Sequence, residues 1–188
     1  MSATRSRWPA LLLVGVALVV IGVRRNLLAP VRLATAGMQP TYAAGDVLLV
    51  WKAGQPVLGD VVLVRMPGEP APTIKRLVGT AGVSVVLDAG GLHVDDRPLR
   101  TGEQTTVSVF RSGCVPVGLP ANTEVLGSQR YATFGDGAPI ALTPPTGHVV
   151  VLGDNRGQSS DSRQWGALPD NALEGVVIGR VWRNSDCD

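Results

Sequence analysis

The sequence predicts a mainly β protein, folded as a sandwich or partly open barrel with an inserted subdomain, behind one N-terminal transmembrane helix. Three observations point there. A charge-free apolar stretch runs from Trp8 to Val23. After it the hydrophobic period changes from helical to strand-like. Finally, 23 Gly and 14 Pro punctuate the 188 residues, with no long amphipathic stretch between them, which leaves short strands and turns as the elements the rest of the chain can build.

The N-terminal stretch comes first. As a helix, Trp8 to Val23 spans ~24 Å, against a hydrocarbon core of ~30 Å. Leu27, Leu28 and Ala29 extend it, and Arg5, Arg7, Arg24 and Arg25 can snorkel at its ends. Residues 8–29 are therefore expected to cross the bilayer once. The competing reading is a cleaved secretory signal, because Ala34-Thr35-Ala36 before Gly37 fits a small-x-small cleavage pattern. Against it, Arg24, Arg25 and Arg32 lie between the apolar stretch and that site, a longer and more charged spacer than such signals carry. Arginines at both ends leave orientation undecided by the positive-inside rule.

Strands are expected at Val47 to Trp51, Val61 to Arg65, Thr73 to Leu77, Val83 to Leu87, Thr106 to Phe110, His148 to Leu152 and Val176 to Trp182, each a β-rich run bounded by turn residues. Val85 to Leu99 reads as a hairpin turning at Asp88-Ala89-Gly90-Gly91, with Leu92 and Val94 facing inward and His93 facing solvent. Between Arg100 and Gly147 the composition turns polar and irregular, which marks residues 100–147 as an insertion between two core parts, 30–99 and 148–188.

Composition narrows the function classes. With 45% hydrophobic and 17% charged residues the chain is not disordered, and its length suits one sizeable domain, or a core domain carrying an insertion. A net charge of +2 without a basic run gives no footprint for nucleic acid and no polybasic lipid patch. His93 and His148 lack ligand spacing, and the glycine pairs sit in β-turns with no following helix to cradle phosphate, so neither metal nor cofactor is expected. Cys114 and Cys187 are too far apart for a C-x-x-C site; a disulfide and two unpaired thiols are both open.

One loop carries more polar capacity than a turn requires. Gly153-Asp154-Asn155-Arg156-Gly157-Gln158-Ser159-Ser160-Asp161-Ser162-Arg163 follows the apolar run Val149 to Leu152. A solvated turn would explain it in isolation. Three further pieces stand in order before it: Met38-Gln39-Pro40-Thr41, Gly59-Asp60-Val61-Val62 and Lys75-Arg76-Leu77-Val78-Gly79. Gly45-Asp46-Val47 and Trp165-Gly166 accompany them. In this order and spacing the chain resembles the bacterial type I signal peptidases, from the apolar segment to Trp182, with the loop as the most specific element.

The resemblance implies a membrane-tethered β fold in which a serine hydroxyl attacks the peptide and a lysine amine is its general base. Residues 1–7 would be cytoplasmic and the β domain extracytoplasmic. Substrates would be exported preproteins, recognised by small residues before the cut through shallow apolar pockets near Met38. Lys75 matches the lysine. It must be neutral to act, so burial has to depress a pKa that lies near ~10.4 in water. Ser159 matches the serine that orients it, and Thr35 the hydroxyl that joins a backbone N–H in the oxyanion hole. Asp161 and Arg163 match the bracing ion pair, with Asp154 and Arg156 holding the loop.

The nucleophile should stand just before Met38, where this chain has Gly37. Glycine has no side chain to attack with, so the chain as written is expected to be severely impaired, retaining at most ~10³-fold catalysis over water from the oxyanion hole and binding. Thr35 and Thr41 are the nearest hydroxyls in sequence, each requiring a shift of several ångströms when ~1 Å already matters. An engineered serine-to-glycine change and a natural pseudoprotease, a module that binds signal peptides or a membrane partner without cutting, both fit. A soluble self-cleaving repressor with a similar Ser/Lys arrangement fits poorly, because the chain opens on an apolar span and not on a DNA-binding helix pair.

Overall fold

The computed structural model describes residues 12, 13, 15, 22, 27–110, 116–135 and 137–184. In chain order its strands are β1 (Leu28–Arg32), β2 (Val47–Trp51), β3 (Val61–Val64), β4 (Thr73–Gly79), β5 (Val85–Asp88), β6 (Gly91–Val94) and β7 (Arg97–Pro98). There follow β8 (Arg100–Phe110), β9 (Pro116–Leu126), β10 (Gln129–Thr133), β11 (Ile140–Leu142), β12 (His148–Leu152), β13 (Leu168–Pro169) and β14 (Leu173–Trp182). One short helix, α1 (Ser162–Trp165), lies between β12 and β13. The fold is mainly β, as the punctuation of the sequence implies.

Most of the 8–29 span lies outside the described residues, as do Cys114 and Cys187. Among the described residues no helix is long and apolar enough to cross a membrane. One correction falls at its end: Leu28 and Ala29 belong to β1, paired antiparallel with Trp51 and Val50 of β2, and do not extend a helix. Pro30 is part of the physical reason, since its ring disfavours the α conformation at Ala29, and pairing with β2 carries Leu28 along.

The main sheet has seven strands in the order β1-β2-β14-β3-β4-β12-β13. β2 alternates as a half-buried strand should, whereas β3, β4 and β12 are buried on both faces. Leu48 and Val50 of β2, Val61 and Leu63 of β3, and Ile74 of β4 meet Leu33 and Met38 in one cluster. Val62 and Val64 point the other way, into a second cluster with Leu77, Val149, Val151 and Leu168. A third gathers Val78, Val85, Leu87, Leu92, Leu126, Tyr131 and Leu152 between the main sheet and a smaller one ordered β11-β5-β6-β7. The hairpin of β5 and β6 turns at Asp88 and Gly91, with Leu92 and Val94 buried and His93 half-exposed.

Residues that read as polar and irregular form a three-stranded sheet, β10-β9-β8. Gly118 and Pro120 lie inside β9, and Thr101 to Thr106 leave β8 with little apolar alternation. The first half of β8 is exposed on both faces and has no need of that pattern, and β9 buries polar Thr123 and Glu124 as well as Ala121, which is why only Thr106 to Phe110 read as strand.

Candidate active site

β4 delivers two basic residues in succession, Lys75 and Arg76. Strand alternation sends Lys75 and Arg76 to opposite faces of the sheet, and both are buried at 3% exposure. Lys75 faces a cleft of about 440 Å³ lined by Val31 to Thr35, Gly37, Met38, Pro70 to Ile74 and Gln158 to Ser160. Its Nζ donates to Thr73 Oγ1 at 3.4 Å and to the Ile74 carbonyl at 3.2 Å. Two hydrogen bonds to neutral acceptors do not compensate a buried ammonium for its lost hydration. Burial therefore pushes the Lys75 pKa below its ordinary 10.5; Arg163 pushes the same way, while Asp161, Asp154 and Glu69 oppose it. The lysine is biased toward the neutral amine.

Gly37 stands across from it. A Cβ built on Gly37 would lie 3.5 Å from Lys75 Nζ and 3.5 Å from Ser159 Oγ, an ordinary contact with both, and the backbone there is one that any L-residue adopts. Glycine is thus not required at position 37 by sterics or by φ. The Ser159 Oγ is buried and makes no well-formed hydrogen bond among the described residues, though it stands close enough to the Asp161 carboxylate to help lower that pKa. Thr35 is exposed on the rim of the cleft, and Met38, 1% exposed, sits in the core cluster at its wall.

The loop after β12 holds this arrangement through its backbone. Asn155 N–H donates to the Gly37 carbonyl at 3.1 Å, and Asn155 Nδ2 donates to the Ala36 carbonyl at 3.2 Å. Gly153 passes so close that an added Cβ would stand 2.5 Å from the Gly37 carbonyl oxygen, so this glycine is required by a close approach. Asp161 caps α1 and accepts from Gly153 N–H at 2.9 Å. Arg163 pairs with both Asp161 oxygens at 2.7 and 2.8 Å, and donates to the Ser159 and Arg156 carbonyls. Burial alone would raise the Asp161 pKa; Arg163 and the Gly153 N–H outweigh it and hold the carboxyl below the usual carboxylate range.

Three partners in this network escaped the sequence reading. Asp154 pairs bidentately with Arg76, Nε to Oδ1 at 2.8 Å and Nη2 to Oδ2 at 2.6 Å, and accepts from Thr41. Arg76 also donates to the Gly59 carbonyl at 2.7 Å and lies 3.7 Å over the Tyr131 ring. Arg156 does not close on an acid of its own loop but reaches the fully buried Glu124 of β9 at 2.6 Å. The third is Thr73. Its position two residues before Lys75 on one strand was the available signal, since i and i+2 share a face.

Comparison with known proteins defines the class. A family model described as Signal peptidase, peptidase S26, matches residues 5–182, and the chain belongs to that family of peptidases. Among its relatives, a signal peptidase I of Pseudomonas fluorescens is 29% identical over 87% of this chain and 68% of its own length. A mitochondrial ATP-independent inner membrane protease subunit 1b of Arabidopsis thaliana is 29% identical over 79% of this chain and 67% of its own. A solved signal peptidase I from Enterococcus faecalis aligns with 65% of this chain and 97% of its own, at 22% identity and a TM-score of 0.42, too low to carry an argument. The family match and the sequence relatives agree on a type I signal peptidase, the group the motifs resemble.

Proposed function

We propose that this protein is a membrane-bound endopeptidase of the signal peptidase I type, built to remove signal peptides from exported preproteins after small-x-small sites. In this reading Lys75 is the general base, Gly37 holds the nucleophile position without a serine, and Ser159 orients the lysine. Thr35 and a backbone N–H bind the oxyanion, Met38 walls the pocket for a small side chain, and Asp154, Arg156, Asp161 and Arg163 hold the loop. An extended peptide laid in the cleft presents alternate side chains to one face, which suits recognition of small residues two apart. Residues 8–29, less the two claimed by β1, anchor the chain in the cytoplasmic membrane as a single pass. The β domain is extracytoplasmic, with 100–147 as its inserted subdomain; similarity to an inner membrane protease subunit supports association with a membrane.

The observation that carries this reading is the 3.5 Å from a Cβ on Gly37 to both Lys75 Nζ and Ser159 Oγ, beside a lysine biased toward its neutral form. A serine placed there would have its oxygen within reach of a base. Cleavage of a preprotein with an Ala-x-Ala site by detergent-solubilised protein tests it. Gly37→Ser is expected to raise the rate by on the order of 10³-fold or more, and Gly37→Ser with Lys75→Ala to lose that gain. Gly37 itself favours the second reading, a pseudoprotease that holds signal peptides or a membrane partner in the same cleft; failure of Gly37→Ser to cut in a folded protein would favour it over the peptidase.

A further inference from the structure

Glycine at position 37 removes more than a nucleophile. It leaves, against Lys75 and Ser159, the room of a methyl group, since beyond its chain neighbours a Cβ placed there meets nothing closer than 3.5 Å. A water molecule, with ~30 Å³ to itself in the liquid, has about that bulk. It also needs two or more polar partners, and two face the position: Lys75 Nζ, and the buried Ser159 Oγ with no well-formed hydrogen bond among the described residues. Buried hydroxyls of that kind are normally satisfied by protein or by ordered water. The position also opens on the cleft that Lys75 lines, so a water there would lie beside whatever peptide the cleft holds.

We infer that in this chain a water bound between Lys75 and Ser159 takes the place of the serine, making the protein a slow one-step peptide hydrolase with no acyl-enzyme. This rests on the cleft being a peptidase site as proposed above. The neutral Lys75 amine accepts a proton from the water as its oxygen bonds to the peptide carbonyl carbon. The tetrahedral intermediate then expels the amine, the C–N electron pair going to nitrogen, which takes the proton back from Lys75. A carboxylic acid and a free amine leave, the lysine is again neutral, and nothing else is consumed. Ser159 acts as a positioning residue that fixes the water; no bond to it forms.

The test compares the full chain with Gly37→Ala, Gly37→Ser and Lys75→Ala in detergent, on a peptide with an Ala-x-Ala site, with thermal unfolding confirming that each is folded. Acid-quenched mass spectrometry looks for peptide attached to protein. The inference expects slow cleavage by the full chain, on the order of 10²-fold faster than Lys75→Ala, with no adduct. Gly37→Ala, whose methyl fits but displaces the water, is expected to fall toward the Lys75→Ala level, while Gly37→Ser cuts fast and shows an adduct. If Gly37→Ser cuts but the full chain is no faster than Lys75→Ala, the water is wrong and the peptidase site stands. If Gly37→Ala keeps the full chain's rate, or an adduct appears on Ser159, the nucleophile is not this water. If folded Gly37→Ser does not cut, the peptidase reading fails and this inference with it.

Discussion

At the scale of single residues the site turns on how Lys75 is biased toward the neutral amine. Its depressed pKa comes first from burial, aided by Arg163 and opposed by Asp161, Asp154 and Glu69. Protonated lysine cannot accept the proton, so cleavage by Gly37→Ser should rise with pH through an apparent pKa below 10.5, and that limb should vanish in Lys75→Ala. Glu69→Gln removes one of the charges that favour the ammonium and should move the limb to lower pH; a pH–rate profile reads both. Folding pays the opposite way. Where the folded state holds the lysine neutral and the unfolded chain holds it charged, stability rises with pH up to about the unfolded value. At neutral pH, Lys75→Met should raise stability by about 1 kcal/mol, read as a higher unfolding temperature, with activity abolished. Gly153→Ala should do the reverse, because its Cβ would press on Ser159 and on the Gly37 carbonyl; overpacking of this kind costs about 1–3 kcal/mol, measurable by urea unfolding.

At the scale of elements, the loop after β12 is bound to two other parts of the fold by buried ion pairs. Asp154 ties it to β4 through Arg76, and Arg156 ties it to β9 through Glu124. Losing one partner strands the other charge away from water, so Asp154→Ala or Glu124→Ala should each cost about 3–5 kcal/mol in chemical denaturation. Arg76→Lys should not rescue the first pair, because an ammonium cannot donate to both carboxylate oxygens and the Gly59 carbonyl in one plane. Asp161 adds an acid limit. Its folded pKa lies below 3.8, so the unfolded chain takes up the proton first. The stability it contributes is complete well above 3.8 and is lost as pH falls through the folded value. Thermal unfolding from pH 5 downward should show that loss, and Asp161→Asn should lack its share of it.

At the scale of the whole molecule, the sequence by itself determined the mainly β class, the edges of β2 and β12, the β5–β6 hairpin and the set of motifs around the cleft. These follow from contiguous residues: period-two alternation, turn glycines and a polar loop are local properties that survive without knowing which strands are neighbours. Tertiary structure decided the rest. Arg76 and Asp154 are 78 residues apart and Arg156 and Glu124 are 32 apart, and only the order β3-β4-β12 and the seating of β9 bring them into contact. The β8–β9 ribbon escaped because Thr101 to Thr106 are exposed on both faces and β9 buries polar Thr123 and Glu124 beside Ala121, so neither strand carries an apolar period along its length, and β1 took Leu28 and Ala29 because pairing with β2 and the Pro30 ring override a helical run. The meaning of Gly37 was divided between the two levels. Its place before Met38 was legible as a missing serine, but only the folded chain decides that a side chain there would face Lys75 and Ser159 without strain, because that depends on a loop more than a hundred residues away closing over it.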